Sequence, residues 1–222
     1  MLLRENVYDA LRVAILTCDL MPGQDLREQD LAARFTVSRS PVRDALLRLA
    51  GENLVTVLPR QGYRVNQISI QDAQDIFGLR LVIEPACAAA AALAGSAEQQ
   101  VLDPFRVLTL DPNTQGAFIR HNRAFHAAVA DLSGNRRMAA VARDLVEQSD
   151  RLVRTSLRLL RDEDASRLVA EHAAIVDAIQ ARNAALAETL CRQHIADALA
   201  RVLAGLRRMI DPTNQRKSPC PP

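Results

Sequence analysis

Three of the four histidines in this 222-residue chain sit among apolar residues at helical spacing. His126 lies with Val129 and Ala130. His172 lies with Leu168, Ile175, Val176 and Ile179, and His194 with Leu190, Cys191, Ile195 and Ala198. Each therefore faces inward on a helix, where imidazole nitrogens need partners. Asn122 precedes His126 by four residues, so both side chains reach one spot. Three imidazoles and one amide oxygen converging in a helical bundle suit a divalent ion, zinc, nickel, cobalt or manganese. Open positions would remain for water or a substrate oxygen. Taken singly, each reads as a hydrogen-bonded core histidine; the coincidence of three is what points to a metal. His121 lies about 100° round from Asn122 and should face elsewhere.

A second constellation is basic. Ser38, Arg39, Ser40 and Arg43 stand at the start of one predicted helix. Arg pairs bidentately with guanine O6 and N7 or with phosphate. Ser hydroxyls and a helix N-terminus suit phosphate oxygens. Arg60, Gln61 and Gly62 follow in a turn, where they would reach the backbone or minor groove. Between Ser38 and Arg64 there are five Arg (39, 43, 48, 60 and 64) against two acids, Asp44 and Glu52. The whole chain carries a formal charge of only +2. The local excess, not the total, is what suggests duplex DNA. The bland alternative is a solvated polar face.

The elements that must position these residues follow from pattern. Leu3, Val7, Leu11, Ala14 and Ile15 define a helix stopped by Pro22-Gly23. Leu26–Phe35 predicts a second. Ser38 is a candidate N-cap with Pro41 in the first turn, opening a third helix to about Ala50. Leu54–Leu58 and Tyr63–Val65 read as strands around the turn Pro59–Gly62. That order is a winged helix-turn-helix. Asn66–Ser69 reads as the linker. Helices are expected at about 70–94, 115–132, 136–161, 165–181 and 184–209, with Ser133-Gly134-Asn135 as a break. Pro104 and Pro112 limit any helix in 95–114 to a short one. Residues 211–222 hold four prolines and read as a disordered tail. The expected fold is mainly α: a DNA-binding winged helix over 1–66, a linker at 67–69 and an all-helical bundle over 70–210.

The stretch PGQDLREQDLAARFTVSRSPVRDALLRLAGENLVTVLPRQGYRV closely resembles the N-terminal domain of GntR-family regulators. The resemblance implies that Ser38, Arg39, Ser40 and Arg43 are the main groove and phosphate contacts, with Gln29, Gln61 and Gly62 in support. The second half is similar to the FCD ligand-binding domain of the FadR-like branch. DIFGLRLVIEPACAAAAA resembles its first helix, NRAFHAAVADLSGN its [DN]-x-x-F-H…SGN stretch, and EHAAIVDAI and CRQHI its two later histidine motifs. What this implies is a divalent metal on Asn122, His126, His172 and His194, holding the carboxylate of a small effector. Asn stands where the family usually has Asp, which removes a negative charge. Arg80 would face the pocket as a carboxylate partner; the other reading is an ion pair with Glu84 at i+4. Residues 95–114 fit the family pattern poorly.

Composition narrows the rest. Nearly half the residues are hydrophobic, Trp is absent and aromatics are few, so the core must be Ala, Leu, Val and Ile. Cys18, Cys87, Cys191 and Cys220 show no CxxC pair and read as free thiols. No signal peptide or membrane span is visible, so a cytoplasmic protein is expected. A palindromic operator would call for a homodimer. Two other classes compete: a DNA-binding dimer with a purely structural bundle, and a His-ligated metal-dependent enzyme. The second lacks a placed general acid or base beyond Glu171, and such an enzyme has no use for a winged helix.

Overall fold

Val7, Leu11, Ala14 and Ile15 repeat every three to four residues. In the computed structural model they form the buried stripe of α1 (Leu3–Leu16). The structure describes residues 3–107, 115–157 and 162–210. It divides into two compact units, Met1–Ile68 and Ser69–Pro222.

In the first unit α1 packs on α3 (Arg39–Gly51), and α2 (Glu28–Phe35) packs on the same helix. Val42, Leu46 and Leu49 of α3 are fully buried with Leu11, Ile15 and Leu54 in one apolar cluster. Ser38 takes the N-cap position with extended backbone, but its side chain makes no capping bond. Three short strands form an antiparallel sheet, β1 (Asp25–Leu26), β2 (Val55–Leu58) and β3 (Gly62–Val65), in the order β1-β3-β2. Asp25 pairs with Arg64, and Leu58 with Gly62. The sequence pattern places Leu26 at a helix start. Instead it closes the sheet edge, and α2 begins two residues later. A two-residue strand has no period to detect; only pairing with β3 creates it.

In the second unit α4 (Ile70–Ala91) packs most extensively on α9 (Ala184–Ile210). Ser69 caps α4 by accepting from the Asp72 N–H at 2.9 Å. Pro85 lies inside α4, so the Leu81 carbonyl loses its helical donor. Arg192 of α9 supplies one, donating to that oxygen at 2.8 Å. Residues after α4 form a short helix, α5 (Ser96–Gln99), and a 3-10 segment, Gln100–Arg106. Buried Gln99 turns back to donate to the carbonyls of Ala91, Ala92 and Ala94, closing the end of α4. The rest is α6 (Gln115–Leu132), α7 (Arg136–Leu157) and α8 (Asp162–Gln180). The last residues of the helix expected at 136–161, and the tail expected at 211–222, lie outside the described residues.

Candidate functional site

The opening turn of α3 faces solvent. Ser38, Arg39, Ser40 and Arg43 are all exposed, while Val42, Ala45 and Leu46 beneath them are buried. Helical period does this: inward residues at 42, 45, 46 and 49 leave 39, 40 and 43 outside. Both arginines are held by α2. Arg39 donates to the Gln29 amide oxygen at 3.0 Å. Arg43 forks onto Glu28 at 2.8 and 2.9 Å, with Arg43 still 59% exposed. The Arg43 bond holds the Glu28 carboxyl below the usual carboxylate range. At the wing, Arg60 and Gln61 are exposed, and Arg60 adopts the left-handed conformation at φ 65°. Gly62, at φ +113°, lies so close to β1 that a Cβ would meet the Leu26 carbonyl at 2.5 Å.

The other two arginines of the basic stretch are engaged within the unit. Arg48 lies 3.8 Å over the Tyr8 ring, and Arg64 pairs with Asp25 at 2.6 Å. Glu52 is bound by Tyr8 and Arg12, so one acid of that stretch is also neutralised locally.

In the second unit His126 from α6, His172 from α8 and His194 from α9 are buried, and one nitrogen from each lies within 4.8 Å of the others. The Nε2 atoms of His172 and His194 are 3.3 Å apart. Asn122 lines the same cavity of about 20 Å³ with Arg80, His126, His194 and Arg201. That is room for one water-sized occupant. Apolar Phe118, Val153, Leu168, Ala198 and Val202 complete the lining.

The outer nitrogens are tied by carboxylates. His126 Nδ1 lies 2.6 Å from Glu84, and His194 Nδ1 2.8 Å from Glu171. An Nδ1–H bonded outward leaves an Nε2 lone pair facing inward, as metal-binding histidines require. His172 Nδ1 is buried without a partner. Burial, outweighing the pull of Glu84, lowers His126 to about 4, and burial takes His172 well below its ordinary value. Both are therefore neutral lone-pair donors at neutral pH. Burial raises Glu84 and Glu171, but Arg80 with His126, and His194 with Arg201, outweigh it and hold each at about 2. The donor set fits a divalent metal. At the tetrahedral angle, bonds of about 2.1 Å put nitrogens about 3.4 Å apart, so closure takes a shift of roughly an ångström or more.

Arg80 forms the ion pair with Glu84 at i+4 and lies at the cavity wall. Its guanidinium also donates to Ser149 at 3.0 Å and approaches His126 Nε2 at 3.5 Å. His121 is not part of the cavity lining; its ring lies edge-on to Phe105 and stacks 6.2 Å from that of His172. Sequence reasoning missed Glu84 as the partner of a histidine, and Arg201 altogether. Arg201 lies seven residues, two turns, beyond His194, a spacing that could have found it. Burial raises the thiols of Cys87, to about 11, and of Cys191, so neither is reactive; Cys220 lies outside the described residues. Among the described residues no helix is long and apolar enough to cross a membrane.

Comparison with known proteins agrees with both halves. Residues 3–65 match the bacterial regulatory proteins of the gntR family, and residues 75–197 match the FCD domain. A Streptomyces ambofaciens protein, named an HTH-type transcriptional regulator in an unstable DNA locus, is 32% identical over 203 residues. The match covers 86% of this chain and 81% of that protein. The Escherichia coli HTH-type transcriptional repressor GlaR is 28% identical over 201 residues, covering 85% and 90%. Among solved structures, E. coli McbR/YncC superposes with a TM-score of 0.75 over 95% of this chain and 100% of its own, at 21% identity, a likeness of fold. With its winged helix and its histidine-bearing bundle each matched in order, this chain belongs to the GntR family of DNA-binding transcription regulators, in the branch that carries an FCD domain.

Proposed function

We propose that this protein is a repressor that binds operator DNA as a homodimer and answers to a small carboxylate held at a divalent metal. Residues 1–66 would read DNA and residues 70–210 would bind effector and dimerise, with 67–69 between them. The observation that carries the DNA half is the outward first turn of α3, with Ser38, Arg39, Ser40 and Arg43 exposed over a buried face. Gln29 beside Arg39, and Arg60, Gln61 and Gly62 at the wing, extend the same surface. Glu28 does not remove Arg43 from it. Solvent screens an exposed pair of this kind, and a phosphate or guanine can displace it. The name of GlaR as a repressor supports the direction of regulation.

Asn122, His126, His172 and His194 would hold the metal, zinc, nickel, cobalt or manganese. The metal would supply a Lewis-acidic seat for a carboxylate oxygen. Outward apolar residues on α4, Leu79 at 52% and Val82 at 68% exposed, support a second copy of the chain as partner.

Two measurements test this. With a duplex selected from a random pool by the wild type, Arg39→Ala and Arg43→Ala should each weaken binding by about 1–3 kcal/mol, roughly 10- to 100-fold. Undiminished affinity in both removes the role of α3. Metal analysis of protein loaded with zinc should show His126→Ala losing most of its metal; equal content in mutant and wild type removes the metal site.

A further inference from the structure

Arg39 and Arg43 share the outward first turn of α3, but α2 holds them differently. Arg39 has one bond, from Nη2 to the neutral amide oxygen of Gln29 at 3.0 Å. A single bond fixes neither the plane of a guanidinium nor its charge. Arg43 is held at two points by an anion. Its Nε donates to Glu28 Oε1 at 2.8 Å, and its Nη2 to Oε2 at 2.9 Å.

That fork takes only one edge of the Arg43 guanidinium. Of its five N–H donors, the Nε–H and one Nη2–H are used. The other Nη2–H and both on Nη1 remain. One from each nitrogen forms a parallel pair at the end of the group, the arrangement that meets guanine O6 and N7. A phosphate taking the Nε edge must displace Glu28; a guanine at the end edge need not. Arg43 is 59% exposed and Glu28 20%, so the acid is the inner member of the pair and the arginine the outer. Glu28 is itself supported. It opens α2, where a helix N-terminus favours an anion. The hydroxyl of Tyr63, on β3, also bonds to its carboxylate.

We propose that Glu28 is a specificity-determining residue, which fixes the plane of Arg43 so that its free end reads a guanine in the duplex. The inference rests on the DNA-reading surface proposed above and adds a residue that itself touches no base. Glu28 acts in two ways. Holding Arg43 in place lowers the ordering cost of the base contact. Its charge opposes the use of Arg43 on phosphate, which holds down binding to unselected DNA.

The test uses the full-length protein and the duplex that the wild type selects from a random pool. Arg43→Ala identifies the G·C pair that Arg43 reads, as the position whose replacement by A·T no longer matters to that variant. The wild type should prefer the selected duplex over the replaced one by about tenfold or more. Glu28→Gln should keep less than about threefold of that preference, and should bind an unrelated duplex at least as tightly as the wild type. Melting curves establish that each variant is folded. A Glu28→Gln preference as sharp as the wild type's, whatever its affinity, overturns the proposal. So does an Arg43→Ala variant weakened equally on every duplex, with a salt slope smaller by about 0.9; that result puts Arg43 on phosphate and leaves α3 as the reading helix. Undiminished binding by both Arg39→Ala and Arg43→Ala would instead remove the DNA reading itself.

Discussion

Glu84 has no outlet to solvent, and two groups depend on it. It receives the Arg80 guanidinium and the His126 imidazole within a site where all three are buried. Removing one partner from such a cluster leaves a buried charge uncompensated, which costs about 3–5 kcal/mol. Glu84→Gln is therefore expected to lower the unfolding free energy by that order in urea denaturation. A change below about 1 kcal/mol would mean that water reaches Arg80 and that the cluster is looser than its geometry. Glu171 shows why neighbours in sequence are poor guides at this scale. It adjoins His172 in the chain, yet successive helical side chains diverge by about 100°, and its carboxylate serves His194 on another helix.

Elements constrain one another through their unsatisfied backbone. Pro85 removes one donor from α4 just after Glu84, and the exposed side chain of Arg192 restores it from α9. Arg192→Ala should destabilise the wild type by about 1 kcal/mol, the usual worth of such a bond. In a Pro85→Ala background, where the helical N–H returns, the same change should cost much less. A double-mutant cycle by thermal unfolding measures the difference, and purely additive effects would show that Arg192 does not serve the Leu81 carbonyl. The wing works on the same logic. Gly62 faces the Leu26 carbonyl too closely for any side chain, so at that position β1 and the hairpin meet backbone to backbone.

Across the molecule, pH acts through carboxyls of opposite sign. Burial raises Asp150 to about 6 despite its bond to Arg123. A folded pKa above the unfolded value of 3.8 means that the folded form prefers the proton. Its contribution to stability is present below 3.8 and is lost as pH rises through about 6. Asp150→Asn mimics the protonated state, so its advantage over the wild type should be greatest near pH 8, roughly 1–3 kcal/mol. It should shrink through pH 6 and vanish by about pH 4 in urea titrations. A gap independent of pH would show that Asp150 stays ionised when folded. Glu84 and Glu171 run the other way. Their contribution stands above 4.5 and falls away as pH drops toward about 2.

Periodicity and turn chemistry are local properties, and local reading recovered what depends on them. The helix beginning at Ser38 has its charged first turn outward because Val42, Ala45, Leu46 and Leu49 share one face in the sequence itself. His126, His172 and His194 were legible as inward residues for the same reason. What no local pattern contains is distance between helices. That Nε2 atoms from α8 and α9 lie 3.3 Å apart, that Glu84 reaches across to His126, and that Arg201 joins the cavity all follow from how α4, α6, α8 and α9 pack. The two-residue strand β1 and the 3-10 turn at Gln100–Arg106 belong with them. Each is too short to carry a period and exists only because a distant element supplies its hydrogen bonds or its cover.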